Sequence, residues 1–245
     1  MKIYFASDQH FGAPNSEKSK EREILFVKWL DTIKKDATQL FLLGDLFDFW
    51  FEYKKVVPKG FVRVLGKLAE LKDSGIQIHF FVGNHDLWMR DYFENELEIK
   101  VYHQPTEFTF NKKSFLIGHG DGLGPGDKGY KLMKKVFTNP FSKWCFRWLH
   151  PDLGVRLAQY LSVKNKYISG EEDVKFLGED KEDLILYCKE IYQNKKYNYF
   201  IFGHRHLPLE ISIGKDSMYL NTGDWVNYFS FAVFDGEKLL LKSYK

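Results

Sequence analysis

Apolar residues along this chain fall into short unbroken runs separated by longer segments with helical spacing. The runs Ile3 to Ala6, Leu40 to Leu43, Ile76 to Val82, Phe115 to Ile117 and Tyr199 to Phe202 are rich in β-branched and aromatic residues, which predicts strands buried on both faces. Between them Ile24, Val27, Trp29, Leu30 and Ile33 recur at helical intervals, as do Phe61, Val64, Leu65, Leu68 and Leu71 ahead of Gly75. Strand and helix therefore alternate through the first third, as in a layered α/β domain. From Ile211 onward short strands follow one another directly, at Met218 to Leu220, Phe229 to Phe234 and Leu239 to Lys242, with a turn at Asp235-Gly236. That tail predicts mixed sheets rather than one wholly parallel sheet. The stretch from Leu123 to Asn194 reads as mostly helical. The expected organisation is a core over 1–122 and 196–245, with a helical insertion over 123–195 lying across one end of the sheets.

Composition narrows the class. A chain of 245 residues accommodates one domain plus such an insertion, and 44% hydrophobic with 28% charged residues is the profile of a folded protein. Cys145 and Cys188 are the only cysteines, so neither a disulfide framework nor a thiolate cluster is expected, and a reducing cytoplasm is the simplest setting. No segment supplies the roughly 18 uncharged apolar residues of a membrane-spanning helix. Met1 to Ser7 lead straight into a strand pattern and do not read as a signal peptide. A soluble or surface-bound protein is expected. The net charge of +3 is uneven: Lys128 to Ser169 holds seven Lys and two Arg against one Asp, a local +8 that leaves −5 for the remainder. That excess points to an anionic partner for the insertion.

Polar clusters stand where the strand runs stop: Asp8-Gln9-His10, Gly44-Asp45-Leu46-Phe47-Asp48, Gly83-Asn84-His85-Asp86, Gly118-His119-Gly120-Asp121 and Gly203-His204-Arg205-His206. Singly, Asp8 or Asp45 reads as a cap or turn former, Asn84 as a turn residue, and each histidine as a satisfied half-buried side chain. Jointly those readings fail, because five of the eight histidines fall in these clusters, while His79, His103 and His150 lack such company. Loops beyond the carboxyl ends of α/β strands converge, and strand alternation would turn Asp8 and His10 to one side. Convergence collects nitrogen and oxygen ligands without sulfur, a set that suits Mn²⁺, Fe or Zn²⁺. Two cations roughly 3.5–4 Å apart require a bridging group, for which Asp45 is the natural choice. Asp48, Asp86 and Asp121 are expected to orient ligands or hold turns.

In this order the five motifs resemble the calcineurin-like metallophosphoesterase superfamily. The resemblance implies a four-layer α/β/β/α sandwich, with one metal on Asp8, His10, Asp45 and His206 and another on Asp45, Asn84, His119 and His204. It also implies catalytic roles for Asp45, Asn84 and His85, with His85 near the substrate phosphate. Within the superfamily, the run Gly44 to Trp50, Asp127 beyond Gly118 to Asp121, and the helical insertion are similar to the UDP-2,3-diacylglucosamine pyrophosphatases of lipid A synthesis. That similarity implies two Mn²⁺ per chain, water attack on the α-phosphate of an acylated UDP-sugar, and release of UMP and 2,3-diacylglucosamine 1-phosphate. It further implies a peripheral seat on the cytoplasmic face of a bacterial inner membrane. Asp127, Ser162, Asn165 and Lys166 would join Asn84, His85 and His204 in touching substrate. Many members carry Arg where this chain has His85.

The insertion allows two readings. Leu132, Met133, Val136 and Phe137 share one helical face and Lys131, Lys134 and Lys135 lie towards another, followed by Phe141, Trp144, Phe146 and Trp148. This is the pattern of a lid at a membrane surface or around acyl chains, and equally of a packed helix pair with a solvated basic face. Two other functions stay open: a two-metal phosphodiesterase or phosphatase acting on a soluble nucleotide, and a metal-free binding scaffold. Nucleic acid is not the expected partner, and oligomeric state is not specified by the pattern.

Overall fold

The computed structural model describes residues 1–126, 128–157, 160 and 175–245. In chain order its elements are β1 (Ile3–Ala6), α1 (Ser16–Ile33), β2 (Gln39–Leu42), α2 (Val62–Asp73), β3 (Gln77–Phe81), α3 (Tyr92–Glu96), β4 (Lys100–Tyr102), β5 (Thr106–Phe110) and β6 (Lys113–Ile117). There follow α4 (Lys128–Thr138), α5 (Pro140–Arg147), α6 (Asp183–Asn194), β7 (Tyr199–Phe202), β8 (Pro208–Gly214), β9 (Ser217–Thr222), β10 (Ser230–Phe234) and β11 (Leu239–Ser243). Residues 151–157 are also helical.

A six-stranded sheet in the order β11-β10-β1-β2-β3-β4 faces a five-stranded sheet in the order β5-β6-β7-β9-β8. Strands β1 to β4 run parallel, and at one side β10 pairs antiparallel with both β1 and β11. In the second sheet β6, β7 and β9 are parallel, and β5 and β8 flank them antiparallel.

Strand alternation divides the core among three clusters. Tyr4, Ala6, Leu40, Leu42, Ile78 and Phe80 meet Phe26, Trp29, Leu30, Val64, Leu68 and Leu71 of α1 and α2. Their neighbours Ile3, Phe5, Phe41, Leu43 and Phe81 point the other way, against Phe115, Ile117, Ile201 and Leu220 of the opposite sheet. On its far side Leu116, Phe200, Phe202 and Tyr219 meet Leu184, Ile185 and Cys188 of α6. Both faces of each sheet are covered, which is why the strands read as unbroken apolar runs. The layers are α/β/β/α. The expected insertion, 123–195, reached past α6, yet the buried face of α6 belongs to the third cluster. Strands β4, β5 and β8 escaped the apolar pattern because they are edge strands with half-covered faces.

Helix ends are closed by specific groups. Asn15 Oδ1 accepts from Lys18 N at 3.0 Å and caps α1. The residue before α2, Phe61, supplies no side-chain cap; Glu23 of α1 accepts from Arg63 N and Val64 N instead, tying the two helices together.

The described part of the insertion packs differently. No residue of α4 or α5 is buried. Lys134 of α4 reaches Asp121 at 2.6 Å and Lys131 bonds the Gly124 carbonyl, so these two lysines turn towards the core while Lys135 is exposed. Leu132 and Val136 are left 67% and 52% exposed, the reverse of a solvated basic face. Phe146 of α5 meets Trp88 and Phe51 at ring distances of 4.5 and 4.7 Å. Among the described residues no helix is long and apolar enough to cross a membrane.

His79 lies between the sheets, stacked on Phe41 at 4.3 Å and hydrogen-bonded to the Tyr102 hydroxyl. Burial, then the Lys100 charge, lowers it to about 4. The unfolded chain gains a proton near its ordinary value of about 6.5 that the folded chain refuses until about 4, so stability falls as pH drops through that window. His79→Phe removes the effect. With solvent screening allowed for, the variant should lose about 1 kcal/mol less unfolding free energy between pH 7 and pH 5 than the parent, read by urea titration. Equal losses in the two proteins would show that His79 protonates freely in the fold.

Candidate metal centre

The carboxyl ends of β1, β2, β3, β6, β7 and β9 bring their loops to one rim. Asp8 N donates to the Gly44 carbonyl at 3.1 Å, His10 N to that of Asp45 at 2.9 Å, and Gly203 N to that of His119 at 2.9 Å. β1 ends at Ala6, so Asp8 and His10 lie beyond it. The expectation that strand alternation aligns them is thus corrected: the loop aligns them, through left-handed backbone at φ 57° and 47°. Asp45, His204 and His206 share that conformation, at 53°, 67° and 56°. Each such residue costs about 1–3 kcal/mol, which the surrounding contacts must offset. Gly44 and Gly83 permit the closest approach, since a Cβ on Gly44 would stand 2.7 Å from His119 Nδ1 and one on Gly83 2.2 Å from Asp45 Oδ1.

One ligand atom from each of Asp8, His10, Asp45 and His206 falls within 4.8 Å of the others. His206 Nε2 lies 3.3 Å from Asp8 Oδ1, and His10 Nε2 lies 3.2 Å from His206 Nε2 and 3.7 Å from Asp45 Oδ2. Beside this group His119 Nε2 is 3.1 Å from Asn84 Oδ1 and 3.5 Å from the same Asp45 oxygen, with the His204 ring 5.1 Å from that of His119. Asp45 Oδ2 therefore faces both sets. The donors fit a divalent cation. Asp8 Oδ1 is buried without a hydrogen-bond partner, two imidazole nitrogens aim at one point, and every donor is nitrogen or oxygen.

The electrostatics lean the same way. Burial raises the Asp8 carboxyl against the pull of His206 and His119, whereas Asp45 stays well below the usual range because, despite its burial, His119 and His85 stabilise its charge. Burial alone would lower His119, but the Asp45 carboxylate lifts it to about 10. His204 is lowered to about 3 by burial and by the His119 charge. The cluster draws in positive charge that its own histidines supply only in part.

Neighbouring groups hold the ring orientations. His119 Nδ1 donates to the Leu43 carbonyl at 2.7 Å, which places Nε2 towards Asn84 and Asp45. His85 Nδ1 donates to the Asp48 carbonyl at 2.8 Å. Asp86 accepts from Gly83 N at 2.7 Å and from Asp45 N and Leu46 N, joining two motif turns. Asp121 faces the insertion, where Lys134 and the Tyr130 hydroxyl bond it. Arg205, between two of the histidines, pairs with buried Glu182 ahead of α6 at 2.8 Å.

Sequence reasoning missed two supports. Asp224 is fully buried and accepts from Val226 N, Asn227 N and Tyr228 N through Oδ1, while Oδ2 takes the His206 Nδ1 proton at 3.3 Å. Its signal was present: Gly223-Asp224 follows β9 as Gly44-Asp45 follows β2. Arg22, buried on α1, donates to the His10 carbonyl at 2.6 Å, and only the folded helix reveals that reach. His103 and His150 are exposed, apart from the cluster. Asp127, Ser162, Asn165 and Lys166 lie outside the described residues.

The calcineurin-like phosphoesterase family model matches residues 1–208. A UDP-2,3-diacylglucosamine hydrolase of Porphyromonas gingivalis is 38% identical over 256 residues, covering 99% of this chain and 97% of its own. Proteins of the same name from Shewanella sp. (strain MR-4) and Histophilus somni (strain 129Pt) are 27% identical over 99% of the chain and 26% identical over 84%. They are covered over 98% and 84% of their own lengths.

Asp224→Asn retains an oxygen for the turn but loses the acceptor that orients His206. The expected outcome is divalent-metal affinity about 10- to 100-fold weaker, by calorimetric Mn²⁺ titration, with an unchanged circular dichroism spectrum. Parental affinity would remove Asp224 from the centre.

Proposed function

Since the chain belongs to the calcineurin-like phosphoesterase family, we propose that it hydrolyses the pyrophosphate bond of UDP-2,3-diacylglucosamine to UMP and 2,3-diacylglucosamine 1-phosphate. The observation that carries the substrate is the nearly end-to-end similarity to the P. gingivalis hydrolase. We assign one cation to Asp8, His10, Asp45 and His206 and the other to Asp45, Asn84, His119 and His204. Mn²⁺ is our first choice, and Fe or Zn²⁺ suits the same donors. When bound, such a pair polarises a phosphoryl oxygen and acidifies water.

The chain's own groups do the rest. Asp45 sits where one carboxylate serves both positions, and its Oδ1 accepts from His85 N at 2.9 Å, coupling that carboxylate to the next motif. With Nδ1–H engaged by Asp48, His85 turns its ring edge to the His10 side, 4.7 Å away. We assign Nε2 of His85 to the substrate phosphate, as a hydrogen-bond donor to developing charge. His85 and Asn84, adjacent on one turn, hold the phosphoryl group in line for attack.

The insertion suits an acylated substrate. Its apolar residues face outward on α4, and Phe141, Trp144 and Trp148 of the following segment are exposed, a surface favourable to acyl chains and to a lipid interface. We read 123–182 as a lid, with Asp127, Ser162, Asn165 and Lys166 among its substrate contacts, and the protein as peripheral on a membrane.

Asp45→Ala and His119→Ala should each lower turnover at least about 10³-fold with native circular dichroism, because both remove groups serving the cations. The test follows UMP release from UDP-2,3-diacylglucosamine with added Mn²⁺ and compares bis-p-nitrophenyl phosphate. Parental rates in either variant would refute the centre. Comparable efficiency on the two substrates would refute the lipid substrate and favour a soluble phosphodiester. A chelated sample should be inactive and recover on Mn²⁺ addition.

A further inference from the structure

We propose that Arg90, Lys143 and Arg147 form a binding site for a phosphate group, next to the metal centre and separate from it. Lys143 and Arg147 are one turn apart on α5 and share a face. Lys143 Nζ donates to the Leu87 carbonyl at 3.4 Å, which sets it on the turn that carries Arg90 beyond the Gly83 to Asp86 motif. The contact of Phe146 with Trp88 fixes α5 against that same turn.

The charges gathered there are uncompensated. Among the described residues no carboxylate lies within ion-pair distance of Arg90, Lys143 or Arg147, and Arg147 Nε is buried without a hydrogen-bond partner. Burial, then the charges of Arg90 and Arg147, lower Lys143. Lys134 shows the contrast: it already neutralises Asp121 and faces inward. Three cations gathered between α5 and the adjoining turn suit a dianion with several oxygens, and a phosphate ester satisfies guanidinium and ammonium donors together. The exposed rings of Phe141, Trp144 and Trp148 continue from the same helix, so the phosphate can belong to a soluble molecule or to a lipid headgroup.

The test uses the Mn²⁺-loaded full chain and the double variant Lys143→Gln, Arg147→Gln. In one arm, calorimetry with inorganic phosphate counts bound equivalents; the metal pair can itself take phosphate, so the readout is an equivalent present in the parent and absent from the variant. In the other arm, flotation compares phosphatidylglycerol with phosphatidylcholine vesicles. Loss of two charges should weaken partitioning to phosphatidylglycerol about 30-fold and leave phosphatidylcholine unchanged. A difference in the first arm assigns a soluble phosphate and in the second a lipid phosphate; either supports the site. Lys143→Arg with Arg147→Lys should retain binding, and hydrolysis of bis-p-nitrophenyl phosphate by the double variant should match the parent, so failure of the proposed reaction would not decide this result. Parental behaviour of the double variant in both arms would overturn the site.

Discussion

Two carboxylates, Asp8 and Asp45, are buried within reach of three imidazoles, those of His10, His119 and His206, at the point where both sheets end, and the surrounding structure answers the electrostatic demand they create. Buried charge of this density is stable only if compensated. The protein meets the demand with hydrogen bonds that fix each ring, with Arg22 and Asp86 holding the loops from behind, and with an arrangement of lone pairs that a divalent cation completes. Left-handed backbone at five of these residues is the local cost, accepted because the contacts around them over-determine the loops.

Packing makes that over-determination possible. Trp225 directly follows Asp224 and sits 4.7 and 5.0 Å from the rings of Phe26 and Trp29, so the turn that aims His206 is fastened to the helix layer. Trp225 N also donates to the Asp8 carbonyl. The high aromatic content of the chain therefore does more than fill volume: large rings anchor the loops that carry the polar cluster.

The insertion is tied to the same centre at both roots, through Lys134 to Asp121 and through Glu182 to Arg205. Each tie lands within two residues of a histidine in the cluster. The insertion and the geometry of the centre are thus mechanically adjacent, whereas the apolar face of α4 is exposed.

Much of this was legible in the chain. The strands buried on both faces, the helices α1 and α2, and the residues of the cluster all followed from unbroken apolar runs and from polar motifs at their ends, because burial on two faces leaves a continuous pattern and strand-end loops are where side chains can gather. Edge strands β4, β5 and β8 were not legible, since half-covered strands mix polar and apolar residues. Tertiary structure alone decided that α6 belongs to the core, that Lys131 and Lys134 turn inward, and that Arg22 supports the centre. Those outcomes depend on which faces meet across long sequence separations, and local spacing carries no record of a partner that lies up to some two hundred residues away, as Asp8 and His206 do.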